Sequence, residues 1–166
     1  MLMEKKRLWL LVGTVGCFLL FSGGISIALA AGPQELVVNK KAEGVSLDPA
    51  KTTTMEDYMV MENIYSSLLR FKPDSFDMQP DLATDYQVSR DGKVYHFKLR
   101  QKVQWHKGFG EFTAEDVEFT INRIKNPETK SPYAKTFADI VKVEVLGQHE
   151  IKIHLKDPDA TFLHRV

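Results

Sequence analysis

The chain has 166 residues, 43% of them apolar and 27% charged, a length and balance that fit one modest core or a piece of a larger domain. Its 22 basic and 22 acidic side chains cancel, which removes the electrostatic reason to expect nucleic acid or anionic lipid as a partner. Cys17 is the single cysteine, so no internal disulfide framework is possible.

The first thirty residues read as an export signal. Met-Leu-Met-Glu-Lys-Lys-Arg is followed by an apolar run from Leu8 through Phe21, a loosening at Ser22-Gly23-Gly24, and the small-x-small site Ala28-Leu29-Ala30. Cleavage after Ala30 leaves Ala31-Gly32-Pro33 at the new terminus. An uncleaved anchor is the competing reading, because Leu8 to Ala31 is long enough to span a bilayer. Thr14-Val15-Gly16-Cys17 offers a third, a lipidated Cys17, against which stand the non-aliphatic Thr14 and the long apolar stretch after it. Removing Lys5, Lys6, Arg7 and Glu4 leaves the remainder at a formal charge of minus two.

Leu36-Val37-Val38 is a short strand candidate, and Ser46-Leu47-Asp48-Pro49 is a turn in which Pro49 pushes Asp48 away from helical geometry. From Met55 to Leu69, Tyr58, Met61, Tyr65 and Leu68 recur at three and four residues, which predicts a helix with one buried stripe. Lys72-Pro73-Asp74-Ser75 is a surface turn. Asp91-Gly92 separates Tyr86-Gln87-Val88 from Val94 to Arg100, where Tyr95, Phe97 and Leu99 alternate with polar neighbours; this predicts a hairpin. Thr113 caps a helix from Ala114, with Asp116 completing a capping box and Phe112 placed to staple against Val117. The expected buried stripe of that helix is Val117, Thr120, Ile121 and Ile124, and Asn126-Pro127 ends it. A second hairpin joins Val141, Val143 and Val145 through Gly147-Gln148 to Ile151, Ile153 and Leu155. Together these elements imply an α+β fold class, with antiparallel hairpins and packed helices.

Catalytic and metal chemistry find little support. The five histidines are scattered, and no Gly-x-Ser-x-Gly elbow accompanies them. No His-x-x-x-His helix pair exists, and Gly108-Phe109-Gly110 lacks the Lys-Ser or Lys-Thr of a phosphate loop. Glu115 and Asp116 sit at a helix start, where the dipole and the cap account for them. The expectation is no enzyme, no metal and no cofactor.

Several stretches nevertheless fall in a familiar order: Leu82-Ala83 and Asp91-Gly92, then Tyr95-His96-Phe97-Lys98-Leu99-Arg100, Val103-Gln104-Trp105-His106-Lys107-Gly108, and Phe112-Thr113-Ala114-Glu115-Asp116-Val117-Glu118-Phe119. With Ser46-Leu47-Asp48-Pro49, Glu62-Asn63-Ile64-Tyr65, Ser131-Pro132-Tyr133-Ala134 and Phe162-Leu163 around them, they resemble the family 5 solute-binding proteins of ABC importers, which take oligopeptides, dipeptides or nickel. Lys107, where the family commonly has an acidic residue, and the long Phe109-Gly110-Glu111 turn are departures.

The resemblance implies a two-lobed periplasmic-binding-protein-like fold of type II, containing a mixed sheet. Residues 1–30 would be the signal peptide, 31–48 the start of lobe one, and 49–166 an incomplete accessory subdomain, with the hinge and second lobe beyond Val166. It implies a monomer that binds a peptide or similar solute outside the cytoplasm and delivers it to ABC permease subunits. An exported enzyme with catalytic residues beyond Val166, or a non-functional truncated binder, is the alternative. By the same resemblance Thr52, Thr53, Thr54 and Met55 edge the ligand cleft, and Tyr133 faces the bound peptide. The competing roles are helix capping for the threonines and loop anchoring for Tyr133.

Overall fold

The computed structural model describes Val37, Gly44 and residues 46–166. The expected signal, Cys17 and nearly all of the Leu36-Val37-Val38 strand candidate lie outside the described residues. The chain divides into two units, Met1–Asn39 and Lys40–Val166, and every helix and strand among the described residues belongs to the second. No helix among the described residues is long and apolar enough to cross a membrane.

Among the described residues of the second unit are two α-helices and six strands. They are α1 (Met55–Met61), β1 (Leu69–Phe71), β2 (Met78–Pro80), β3 (Ala83–Val88), β4 (Val94–Leu99), α2 (Ala114–Lys125), β5 (Ile140–Gly147) and β6 (Glu150–Leu155). β1 and β2 form a small hairpin, while the larger sheet has the order β3-β4-β6-β5 with every neighbouring pair antiparallel. Both predicted hairpins are present. The second docks on the first through β6, with Phe97 opposite Ile151 and Tyr95 opposite Ile153.

Alternation in β4 and β6 makes the sheet two-faced. Tyr95, Phe97, Leu99, Ile151, Ile153 and Leu155 are buried, whereas Lys98 lies exposed and His96, Lys152 and His154 are half-buried between them. The apolar face joins one core with Ala114, Val117, Ile121 and Ile124 of α2, and with Phe112, Phe137 and Phe162 from the connections.

The helix start is built as the Thr-x-x-Asp spacing predicts. The Thr113 N–H donates to the Asp116 carboxylate at 2.8 Å, and Phe112 and Val117 are buried in the same cluster. Thr120 departs from the expected stripe: it is exposed and its hydroxyl donates to the Asp116 carbonyl at 2.8 Å, leaving Ala114 to complete the buried face.

Two further expectations are corrected. α1 ends at Met61, well short of Leu69, because the chain tightens there: Asn63 and Ile64 donate to carbonyls three residues back, and the Asn63 side chain takes the Met59 carbonyl at 2.8 Å. Met61 and Leu68 are buried as expected, but Tyr58 and Tyr65 are 38% and 43% exposed. In β5 a register shift between Ile140 and Lys142 changes the parity of the strand. Ile140 is therefore buried and Val141 is 61% exposed.

Candidate functional site

The site is assembled at the start of α1. Thr54 is its N-cap, accepting from the Asp57 N–H at 3.3 Å. Asp57 itself is 1% exposed and reaches back toward the Ser46-Leu47-Asp48-Pro49 turn. Its carboxylate accepts from the Ser46 N–H at 3.1 Å and from the buried Thr52 hydroxyl. A carboxylate this deeply buried is tolerated because donors converge on it.

The turn is held from a second direction by α2. Asp48 accepts two parallel bonds from Arg123, at 2.9 and 2.6 Å, and a third from the Ala50 N–H at 3.1 Å. The Arg123 guanidinium holds the Asp48 carboxyl down at about 2, with the Ala50 N–H assisting. The sign is that of a depressed acid: the stabilisation is full above the ordinary carboxylate value near 3.8 and is lost as pH falls through about 2. Both partners are partly exposed, so screening reduces its size to about 1–2 kcal/mol. Thermal melts in the native protein should lose that increment between pH 5 and pH 2, and Arg123→Gln should abolish this part of the acid sensitivity. A variant with an unaltered acid profile would show that the pair contributes nothing.

Tyr133 approaches the same loop across 81 positions of sequence. It follows Pro132 in a turn where its N–H donates to the Ser131 hydroxyl at 3.2 Å, and its own hydroxyl donates to the Thr52 carbonyl at 2.5 Å. The Tyr58 hydroxyl is bonded to that same Tyr133 hydroxyl. Burial, with the Tyr58 bond behind it, pushes the Tyr133 phenol up to about 12, so it stays a neutral donor at ordinary pH.

Of the five residues expected at a cleft, Thr52 and Tyr133 are thus brought into direct contact, and Thr53, Thr54 and Met55 lie along the same segment. The Thr52 and Thr54 hydroxyls both serve the fold, on Asp57 and on the α1 start. Thr53 is exposed and Met55 is 70% exposed. What the arrangement presents is a tyrosine pair from α1 and the Ser131–Tyr133 turn, beside an exposed Thr53 and an apolar Met55 at the start of α1. Such a surface can stack and hydrogen-bond a ligand; it holds no nucleophile-base pair. Among the described residues no group of three or more His, Cys, Asp or Glu is placed to hold a metal ion.

Sequence reasoning passed over Asp57 and Arg123, and read Tyr58 only as part of a buried helical stripe. One signal was present: Thr54-Met55-Glu56-Asp57 repeats the Thr-x-Glu-Asp order of Thr113 to Asp116, and so marks a second helix start.

Residues 77–166 match the family model described as bacterial extracellular solute-binding proteins, family 5 middle. The chain is 34% identical over 162 residues to di/tripeptide-binding protein 2 of Pseudomonas aeruginosa (strain UCBPP-PA14), covering 87% of this chain and 30% of that protein. It thus spans about a third of the length of such curated relatives. The periplasmic binding protein DppA from Helicobacter pylori, solved in complex with peptide STSA, superposes with a TM-score of 0.66 at 34% identity, over 75% of this chain and 27% of that one. NikZ from Campylobacter jejuni, solved in complex with Ni(L-His), gives 0.67 at 35% identity, over 74% and 24%. These likenesses place the α+β unit within a periplasmic-binding-protein-like fold.

Proposed function

Because this chain belongs to the bacterial extracellular solute-binding proteins of family 5, we propose that the protein carrying it binds a peptide or similar small solute outside the cytoplasm. It then hands that solute to the permease subunits of an ABC importer. The observation that carries the reading is the family match together with 34% identity to a di/tripeptide-binding protein. The site adds support, since it offers stacking and backbone hydrogen bonding rather than covalent chemistry.

In this reading residues 1–30 are an export signal, 31–48 begin lobe one, and 49–166 belong to its accessory subdomain, as a monomer without cofactor. Thr52, Thr53, Thr54, Met55 and Tyr133 form one wall of the ligand cleft. The loop's own backbone and the Tyr133 ring face the solute, while the Thr52 and Thr54 hydroxyls and Asp57 hold the wall in place.

The test is calorimetric titration of the secreted protein with a defined mixture of di- and tripeptides, paired with N-terminal sequencing and chromatography of the peptides afterwards. Saturable heat, intact peptides and a terminus at Ala31 are the expected results. Cleaved peptides would replace the reading with an exported hydrolase, and a lipid-bearing terminus at Cys17 would replace the soluble form with an anchored one.

A further inference from the structure

The segment carrying Thr52, Thr53, Thr54 and Met55 has little apolar attachment to the rest of the unit. α1 buries only Asp57 and Met61, and neither joins the core around the sheet. Among the described residues from Ser46 to Met61, Ala50 alone enters that core, at 2% exposed. One methyl group buries little area, so side-chain hydrogen bonds carry much of the task of fixing where the segment sits.

Those bonds divide by their range along the chain. The local ones give the segment its own shape. Asp57 accepts from the Ser46 N–H at 3.1 Å and from the Thr52 hydroxyl, and Tyr65 donates to the Leu47 carbonyl at 3.0 Å. The Asp48 carbonyl accepts from the Lys51 and Thr52 N–H groups at 2.9 and 3.2 Å. None of these bonds says where the segment lies against the sheet and α2, because both ends of each lie between Ser46 and Tyr65.

Two ties come from a distance. Arg123, in the last turn of α2, grips both Asp48 oxygens, at 2.9 and 2.6 Å, and Tyr133 donates to the Thr52 carbonyl at 2.5 Å. Proton bookkeeping fixes the direction of the second: a carbonyl only accepts, so the single Tyr133 proton goes to Thr52 and Tyr58 donates to Tyr133. Asp48 and Thr52 are themselves joined by a backbone bond. The two distant ties therefore hold one stiff turn at its two ends.

We propose that Arg123 is a positioning residue of the solute site, one of two distant clamps, with Tyr133, that fix the Thr52–Met55 wall in place. It touches no solute and acts through Asp48 and the turn. This role rests on the reading of that wall as one side of the ligand cleft. Because the local bonds keep the turn stiff, either clamp alone holds it, and loss of both releases it. A guanidinium suits the task, since its planar fork meets both carboxylate oxygens and fixes the angle of approach, whereas an ammonium is a point charge that leaves the angle free.

The test is a double-mutant cycle in the full-length protein, read in two ways. Hydrogen exchange at the Lys51 and Thr52 amides reports the clamps with no solute present. Arg123→Gln and Tyr133→Phe should each speed it about threefold and the pair about a hundredfold, well beyond the product. Calorimetric titration with the tightest-binding member of the di- and tripeptide mixture, at a temperature where every variant is folded, should follow the same pattern. Each single variant should lose about twofold in affinity and the pair at least about twentyfold. Arg123→Lys beside Tyr133→Phe should recover part of that loss, and it reads the same coupling at smaller size if the Gln pair does not fold. Multiplicative changes in both readouts would overturn the proposal, as would coupled exchange with affinity unchanged, which is the signature of a merely structural Arg123. A wild type with no saturable heat for any peptide of the mixture would overturn the solute reading, and the role of Arg123 with it, even with the exchange coupling intact.

Discussion

Asp57→Ala should destabilise the protein by about 2–4 kcal/mol, because it removes the acceptor on which two donors converge. The Ser46 N–H, now 3.1 Å from the carboxylate, and the Thr52 hydroxyl, on a residue only 3% exposed, would each be left short of a partner. Water cannot reach so closed a place without opening the loop, and opening it loosens the start of α1 as well. Asp57→Asn should cost about half as much, since one acceptor oxygen survives. Denaturant melts of both variants at neutral pH read these differences directly. A loss under about 0.5 kcal/mol for Asp57→Ala would show that the turn from Ser46 to Thr52 is held by its other ties, Arg123 on Asp48, Tyr65 on the Leu47 carbonyl and Tyr133 on the Thr52 carbonyl. The same variant carries a second consequence: the Thr52 carbonyl is the acceptor for Tyr133, so solute affinity should fall along with stability.

Tyr133→Ala should weaken peptide binding by about 1–3 kcal/mol, through loss of a half-buried ring from the proposed cleft wall. Some of that change comes from the wall itself, because the Tyr133 hydroxyl is what joins the Ser131-Pro132-Tyr133 turn to the Thr52 carbonyl and to Tyr58. Tyr133→Phe separates the two effects. It keeps the ring and removes only the tie, so it should retain most of the affinity while lowering the melting temperature. Tyr58→Phe should do less than either, since Tyr133 keeps its bond to Thr52. Calorimetric titration with di- and tripeptides, beside thermal melts of the same variants, gives both quantities. Unchanged affinity in Tyr133→Ala, with a lowered melting temperature, would make Tyr133 an anchor of the loop and leave the cleft wall to Thr53 and Met55.

What was legible in the sequence is what depends on neighbours along the chain. The α2 start was legible because Thr113 and Asp116 satisfy backbone donors within one turn, and its end because Pro127 cannot continue a helix. The β3–β4 and β5–β6 pairs were legible because alternation over six residues and a Gly-bearing turn specify a hairpin locally; Gly92, at φ 68°, sits in the turn where its left-handed backbone is needed. The family resemblance was legible for a related reason: its marker residues are those same caps, turns and strand faces, kept in order. Tertiary structure alone decided the rest. No local rule says that β6 rather than β5 joins β4, because either edge of a hairpin can offer the same backbone bonds and only the buried match of Ile151 and Ile153 with Phe97 and Tyr95 chooses. The bulge that turned Val141 outward serves the burial of Ile140 against the core. The candidate site is of this second kind throughout: Asp48 meets Arg123 across 75 positions, and Tyr133 meets Thr52 across 81. Such pairs carry no periodicity and no spacing in the chain, since what brings them together is the packing of α2 and the Ser131–Tyr133 turn around the start of α1.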